Sequence, residues 1–509
     1  MVHFPSKPGA HPFAAPTRFE ADVFDCEVEG EVPETMRGTF YRACTDRRYP
    51  ARFADDAVFN EDGAIDMFRF RDGHVDFRSR FVRTPRFLAE RKAGRALFGY
   101  YRNKFTSEPE MQQLSMNTAN TNVIFHGGKL LVLKESDPPV EIDPHTLETR
   151  GNWDFGGKLN SLTFTAHPKI DPLTGEMICY GYEAKGDATD DVVLYWVNRE
   201  GEITRELWFK SPLVCMMHDI ALTDRHIILP TTSYLTSMER LRSGSQHWAW
   251  ERDVTTYVAV IPRHGTADEI RWFESANAGM MVHTINAVSE GDRVTLDAPI
   301  SDANPFPWVP NADGSHFDPQ GAISTIRRWT FDLGSNSRTW HEEVLFPDHL
   351  STSGLSRMDD RYTSRPFRYS YMGYNEPSLP FDRERVRRGK LPERITNCYG
   401  IFDHVERRVR SFYVGPTHSL QEVCFVPRDA NAPEGDGWLI GVANNYAELK
   451  SELVIVDALE PERGAVARVK LPFRLHSQVH GNWVPDADVP VDVDFNQVYW
   501  GELTQPLSK

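Results

Sequence analysis

Four of the 18 histidines stand in a common local setting. His167 follows Thr163-Phe164-Thr165-Ala166, His218 follows Val214-Cys215-Met216-Met217, His283 follows Met280-Met281-Val282, and His480 sits in Gln478-Val479-His480-Gly481. In three of them a small or apolar run leads directly into the imidazole, and in all four a polar or turn residue soon follows. A side chain in that setting lies at the end of a buried strand and faces a shared space. Neutral imidazole binds Fe, Zn and Cu well. Four imidazoles without a carboxylate leave a divalent ion its full charge. An octahedral ion held by four side chains keeps two open positions, which suits Fe(II) acting on O2. Tetrahedral Zn would be closed by its fourth ligand. A histidine taken singly is more often a surface or structural residue, so the reading depends on the four meeting.

No two of these histidines are near enough in sequence to share a helix or loop, so the fold must bring separate strand ends together. Short β-type runs recur along the chain, at 122–125, 129–133, 177–182, 192–197, 226–229, 257–261, 294–297, 438–442 and 453–456. Turn residues separate them, as in His126-Gly127-Gly128, Arg199-Glu200-Gly201 and Glu434-Gly435-Asp436-Gly437. Short strands with polar turns predict an antiparallel all-β chain. A strand–turn–strand theme returns at 67–75, 194–202 and 398–404, too irregularly for a WD or kelch repeat. With no linker that divides the chain, the expectation is one large propeller domain over 1–509, preceded by a Pro-rich arm at 1–18. In a propeller the inner strand of each blade lines the axis, where distant histidines can meet. Helix is expected only at 84–98 and 236–242, and the Pro/Asp-rich stretch 302–320 reads as a long surface loop or insertion.

Composition narrows the function classes. Hydrophobic residues make up 40% and charged residues 26%, enough to bury a large core and too apolar for disorder. Lys+Arg total 57 against 73 Asp+Glu, a net charge of −16 that argues against nucleic acid and against broad attraction to anionic lipid. No window approaches the roughly 18 apolar residues of a membrane span. The arm has no apolar core of the signal-peptide kind. Six cysteines without a C-x-x-C pair suggest reduced thiols and a cytoplasmic protein. There is no G-x-S-x-G elbow and no evident Gly-rich phosphate loop, so a hydrolase reading is weak.

Beyond the histidines, the chain resembles the carotenoid cleavage oxygenase superfamily, and within it the stilbene-cleaving lignostilbene dioxygenases. The resemblance runs from Gly38-Thr39-Phe40-Tyr41-Arg42 to Gly481-Asn482-Trp483-Val484-Pro485. Its most specific motifs are Ala166-His167-Pro168-Lys169-Ile170-Asp171, His218-Asp219, His283-Thr284-Ile285-Asn286-Ala287, Glu422-Val423-Cys424-Phe425-Val426-Pro427-Arg428 and Val479-His480-Gly481-Asn482-Trp483. The resemblance implies a seven-bladed β-propeller with a helical and loop cap over non-haem Fe(II). It places the ligands on His167, His218, His283 and His480, with His476 as competitor for the fourth place. It places supporting carboxylates on Glu135 and Glu422. A third family glutamate is absent, because the matching stretch reads Gly354-Leu355-Ser356-Arg357-Met358-Asp359. Tyr101 and Lys134 match a pair that grips a phenolic hydroxyl, Phe59 a ring that stacks on substrate, and Thr121 a threonine that crowds an open position at the iron.

The resemblance implies cleavage of the central C=C bond of a phenolic stilbene by O2 into two aldehydes. Its partners are O2 and the stilbene, with no nucleic acid and no stable membrane insertion. Ordinary readings stand beside these. Phe59 can be core, Lys134 a solvated strand residue, Thr121 a plain strand threonine, and Glu135 and Glu422 common strand-end carboxylates. A carotenoid- or apocarotenoid-cleaving enzyme is the nearer alternative, although 87–105 carries Glu90, Arg91, Lys92, Arg95, Arg102 and Lys104, a charge density that argues against deep insertion. A non-enzymatic propeller scaffold is the more distant one.

Overall fold

The computed structural model describes residues 13, 15–276, 279–351, 354–386 and 395–489. The described strands form seven antiparallel sheets around a central axis, plus a two-stranded ribbon of Tyr234–Leu235 and Ala249–Trp250. The second blade holds Asn122–His126, Lys129–Leu133, Val140–Ile142 and Thr149–Asn152. The third holds Lys169–Ile170, Met177–Tyr182, Asp191–Val197 and Ile203–Lys210, and the fourth Ala221–Leu222, His226–Pro230, Thr256–Pro262 and Arg271–Ser275. The fifth is built on Asn286–Glu290, Arg293–Ser301 and Ser324–Asp332, and the sixth on Ser356–Met358, Tyr369–Tyr374, Cys398–Asp403 and Arg408–Tyr413.

The first and seventh blades each join the two ends of the chain. In the first, Gly38–Asp46 pairs with Gln478–Pro485, with Phe40 opposite Trp483 and Arg42 opposite Gly481. In the seventh, Glu27–Gly30 pairs with Ala465–Lys470. Gly481 is required here, because a Cβ would lie 2.7 Å from the Gln478 Nε2 and 2.8 Å from the Phe40 ring.

Strand composition follows position in the blade. Met177–Tyr182 and Asp191–Val197 are buried at every residue, because neighbouring blades cover both faces, and their sequences are almost continuously apolar. Ile203–Lys210, at the rim of the same blade, mixes buried and exposed positions. Side chains of adjacent blades interdigitate, as Tyr180, Leu194 and Trp196 do with Leu222, Ile227 and Ala259. Each leucine or isoleucine among them contributes roughly 1.5–3 kcal/mol on burial.

The first helix is shorter than 84–98. Thr84 caps it by accepting from the Phe87 N–H at 3.2 Å, Pro85 starts it, and Gly94 ends it at φ 69°. Beyond Gly94 the chain turns inward, and the Glu90 carboxylate takes the N–H groups of Leu97 and Phe98. The charge count over 87–105 also changes. Glu90 and Arg102 are buried and bonded internally, so they do not face solvent, whereas Arg91, Lys92 and Arg95 are exposed. The stretch 302–320 is only half a surface loop. Residues 313–316 are exposed, but Ala303, Asn304 and Val309 are buried against the core.

Candidate metal centre and substrate cleft

Each of the seven blades sends one group to the axis. His167 lies two residues before the inner strand of the third blade, His218 three residues before that of the fourth, and His283 lies before Asn286–Glu290 of the fifth. His480 lies on Gln478–Pro485, the closing strand of the first. The ligand-capable atoms of the four rings all fall within 4.8 Å of one another. The other three blades supply acceptors behind the rings: Glu135 after Lys129–Leu133, Gly354 before Ser356–Met358, and Glu422 before Cys424–Pro427.

These acceptors set the tautomers. His218 Nδ1 meets the Glu135 carboxylate, His480 Nδ1 meets Glu422 Oε1 at 2.7 Å, and His283 Nδ1 meets the Gly354 carbonyl at 3.2 Å. Each Nδ1 must therefore carry the proton, which leaves Nε2 as a bare lone pair. Yet His218 Nε2 lies 3.2 Å from His283 Nε2 and 3.0 Å from His167 Nε2. Two lone pairs cannot bond each other, and the buried His480 Nε2 has no partner. Converging bare nitrogens fit a cation. Burial, together with the neighbouring imidazoles, holds His167 and His283 well below the usual histidine range, so both remain in the neutral, ligating form. Burial opposes the charge on Glu135, but the His218 imidazole and the Tyr182 hydroxyl outweigh it and hold the carboxyl below its ordinary value.

His476 is not part of this group. Its Nε2 lies 3.2 Å from Asp46 Oδ1 and 3.1 Å from the Ala15 carbonyl, where it ties the N-terminal arm to the chain end. Glu422 also accepts from Gln478 Nε2 at 3.0 Å and from the Gly481 N–H at 2.7 Å, and the Arg357 guanidinium stands 3.9 Å away. Gln478 and Arg357 carry no motif that would have singled them out.

Next to Glu135 in sequence, Lys134 sits within a cluster of aromatic side chains. Lys134 is buried, not a solvated strand residue, and its Nζ donates to the Phe59 carbonyl at 2.9 Å, Asn120 Oδ1 at 2.8 Å and Thr121 Oγ1 at 3.3 Å. It stands 4.7 Å from the Tyr101 ring centre. Burial drives the Lys134 ammonium down to about 7 against the opposing pull of Glu135. Burial, reinforced by Glu135, raises the Tyr101 phenol, which stays protonated as a donor. Thr121 is thus placed against Lys134 and Asn120, its hydroxyl 3.2 Å from Asn120 Oδ1. Phe59 meets Phe306 edge-on at 5.2 Å and Trp308 at 5.4 Å. Those two rings come from the stretch read as a surface loop. A loop has no periodicity to mark an inward face, and only the local density of aromatics among prolines hinted at one.

Comparison with known proteins places this geometry among enzymes. Residues 14–485 match the family model described as Retinal pigment epithelial membrane protein. The chain is 40% identical over 493 residues to resveratrol cleavage oxygenase 1 of Aspergillus fumigatus, covering 96% of this chain and 97% of that protein. It is 41% identical over 470 residues to isoeugenol monooxygenase of Pseudomonas putida, covering 92% and 96%. The crystal structure of Pseudomonas brassicacearum lignostilbene dioxygenase superposes with a TM-score of 0.90 at 38% identity, over 95% of this chain and all (100%) of that one.

Proposed function

Since this chain belongs to the Retinal pigment epithelial membrane protein family, we propose that it is an Fe(II)-dependent dioxygenase that splits the central C=C bond of phenolic stilbenes into two aldehydes. The observation that carries the reading is the joint placement of four converging imidazoles on the axis and a buried lysine–tyrosine pair whose lysine directly precedes Glu135. The iron would be held by His167, His218, His283 and His480, and when bound it supplies O2 activation. The protein's part is to orient and to exclude water. Glu135, Glu422 and the Gly354 carbonyl fix the ring tautomers.

Lys134 and Tyr101 receive the phenolic hydroxyl. The weakest of the three lysine contacts, to Thr121 Oγ1 at 3.3 Å, is the one that a substrate oxygen would replace. A lysine held near neutrality can take the phenolic proton onto Nζ. The resulting phenolate pushes electron density toward the conjugated alkene, and the adjacent cation stabilises it. Phe59, Phe306 and Trp308 are flat walls suited to a planar aryl alkene.

The similarity to resveratrol and isoeugenol oxygenases supports this class, since both named substrates join a phenol to an alkene. The carotenoid alternative has less support, since a carotenoid has no phenol for Lys134. A cytoplasmic site of action is supported by six unpaired cysteines, all buried. The test is anaerobic Fe(II) reconstitution followed by O2 with a 4-hydroxystilbene, a propenylphenol and an apocarotenal in parallel. Two aldehydes formed fastest from the stilbene support the reading, and preference for the apocarotenal overturns it.

A further inference from the structure

Behind Glu135 lies a second buried cluster that the reaction itself does not use. The Tyr182 hydroxyl donates to Glu135 Oε2 at 2.5 Å and receives an N–H from Arg102 at 3.0 Å. The other arm of that guanidinium pairs with Glu183 Oε2 at 2.6 Å. His247 Nε2 faces both Glu183 oxygens, at 3.1 and 3.2 Å, and its Nδ1 faces the Arg102 carbonyl at 3.0 Å. Both ring nitrogens thus face acceptors, which hold the ring between the Glu183 carboxylate and the Arg102 backbone. Arg102, Tyr182, Glu183 and His247 are all buried.

The backbone is held under strain to make these contacts. Arg102 has φ 53° and Glu183 φ 50°, left-handed values unfavourable for residues with a Cβ. Burial opposes the charge on Glu183, yet Arg102 and His247 hold its carboxyl at about 2.

The cluster spans the distance between the two halves of the site. Arg102 directly follows Tyr101, and its guanidinium stacks 5.1 Å from Tyr182 and 5.5 Å from Trp248. Trp248 and Tyr101 line a small cavity with Phe59 and Val309. At the other end, Glu135 touches His218. A carboxylate with one oxygen on a metal-ligating imidazole is free to rotate unless its second oxygen is also held, and Tyr182 is what holds it.

We propose that Tyr182, backed by the Arg102–Glu183–His247 cluster, is a positioning residue for the metal centre: it fixes the Glu135 carboxylate that orients His218. The proposal rests on the four histidines being the metal site.

The test uses the full-length apoprotein and Co(II), whose visible bands report ligand geometry without any turnover. Tyr182→Phe should weaken Co(II) and Fe(II) binding by up to about 10-fold, less than the roughly 10–100-fold cost of losing the direct partner of a ligand. It should also shift the Co(II) bands and lower kcat while KM for a 4-hydroxystilbene stays within about threefold. Arg102→Lys retains a cation for Glu183 but gives up the N–H to Tyr182. It should move the bands in the same direction by less. Tyr41→Phe is the control, an equally buried tyrosine whose hydroxyl donates instead to the Pro144 carbonyl at 2.7 Å, a backbone oxygen between the two outer strands of the second blade. Unchanged Co(II) affinity and bands in Tyr182→Phe, or a loss matched by Tyr41→Phe, would overturn the proposal. Should Tyr182→Phe fail to fold, wild-type bands in Arg102→Lys overturn it equally. If the wild-type protein binds no Co(II), it is the metal reading that fails.

Discussion

The Nδ1 of His283 is oriented by the carbonyl oxygen of Gly354, 3.2 Å away, whereas His218 and His480 each face a carboxylate. The centre therefore has two negative charges behind its rings, not three. Removing either one takes away half of the charge that offsets a divalent ion. Glu135→Gln and Glu422→Gln should each lower Fe(II) affinity by roughly 10–100-fold, measured by chelator competition. Wild-type iron content and turnover in both would show that these carboxylates only support the fold. Gly354→Ala should behave differently. The acceptor there is backbone, and an added Cβ meets its nearest neighbour, Ser324 Oγ, at an ordinary 3.4 Å. The cost is left-handed strain at φ 59°, about 1–2 kcal/mol of stability, with iron retained.

The two neighbouring histidines near the C-terminal end separate cleanly. His480→Ala, like His167→Ala, His218→Ala and His283→Ala, should lose most iron and activity. His476→Ala should keep its iron, because that ring is bonded to Asp46 and the N-terminal arm. Metal analysis of the purified variants decides the matter, and the reverse pattern at 476 and 480 would refute the ligand assignment.

A site built on Lys134 and Tyr101 should discriminate against a masked hydroxyl. A 4-hydroxystilbene should be cleaved, while its 4-methoxy analogue should react slower by up to about 10⁴-fold, since the ether cannot donate and leaves buried groups poorly paired. Lys134→Met should depress turnover of the phenol far more than it depresses iron content. Tyr101→Phe should act the same way but less strongly. Equal rates for phenol and ether would end the clamp hypothesis.

The pH dependence follows from the lysine. In the free protein Lys134 loses its proton near 7. Below that pH the ammonium already donates to three protein oxygens, so a phenol that binds as phenolate must release its proton to solvent. Above it, the amine takes that proton directly. The kcat/KM for a phenolic stilbene should therefore rise with pH up to about 7. It should then stay level until the free phenol ionises, near 10 for an ordinary phenol. Lys134→Met should lack the rising limb. A wild-type profile that is flat between pH 6 and 8 would contradict the proton assignment.

The strands and the meeting of the four histidines were legible in the sequence for a shared reason: blade packing demands apolar runs, and a polar ring at the end of such a run stands out. Lys129–Leu133 and Met177–Tyr182 match the expected limits, and the four histidines meet where the runs end. What stayed hidden had no side-chain pattern to show. The support for His283 is a carbonyl, which any residue possesses. Phe306 and Trp308 lie in a segment without periodicity. Arg102 read as one surface charge among several, because nothing local reveals a partner as distant as Glu183. The first helix fell short of its expected length because Gly94 turned left-handed and Glu90 bonded inward.

Where the ring is sealed has a bearing on how the protein matures. His480 resides on the strand that joins the chain's end to its beginning, opposite Arg42 and its neighbours. During synthesis, His167, His218 and His283 emerge long before it, so an incomplete chain offers at most three of the four rings. Under the proposed ligand set, the fourth ring joins the other three only when the terminal strand docks. An ion held by all four rings would bind only the closed ring and so would resist its reopening.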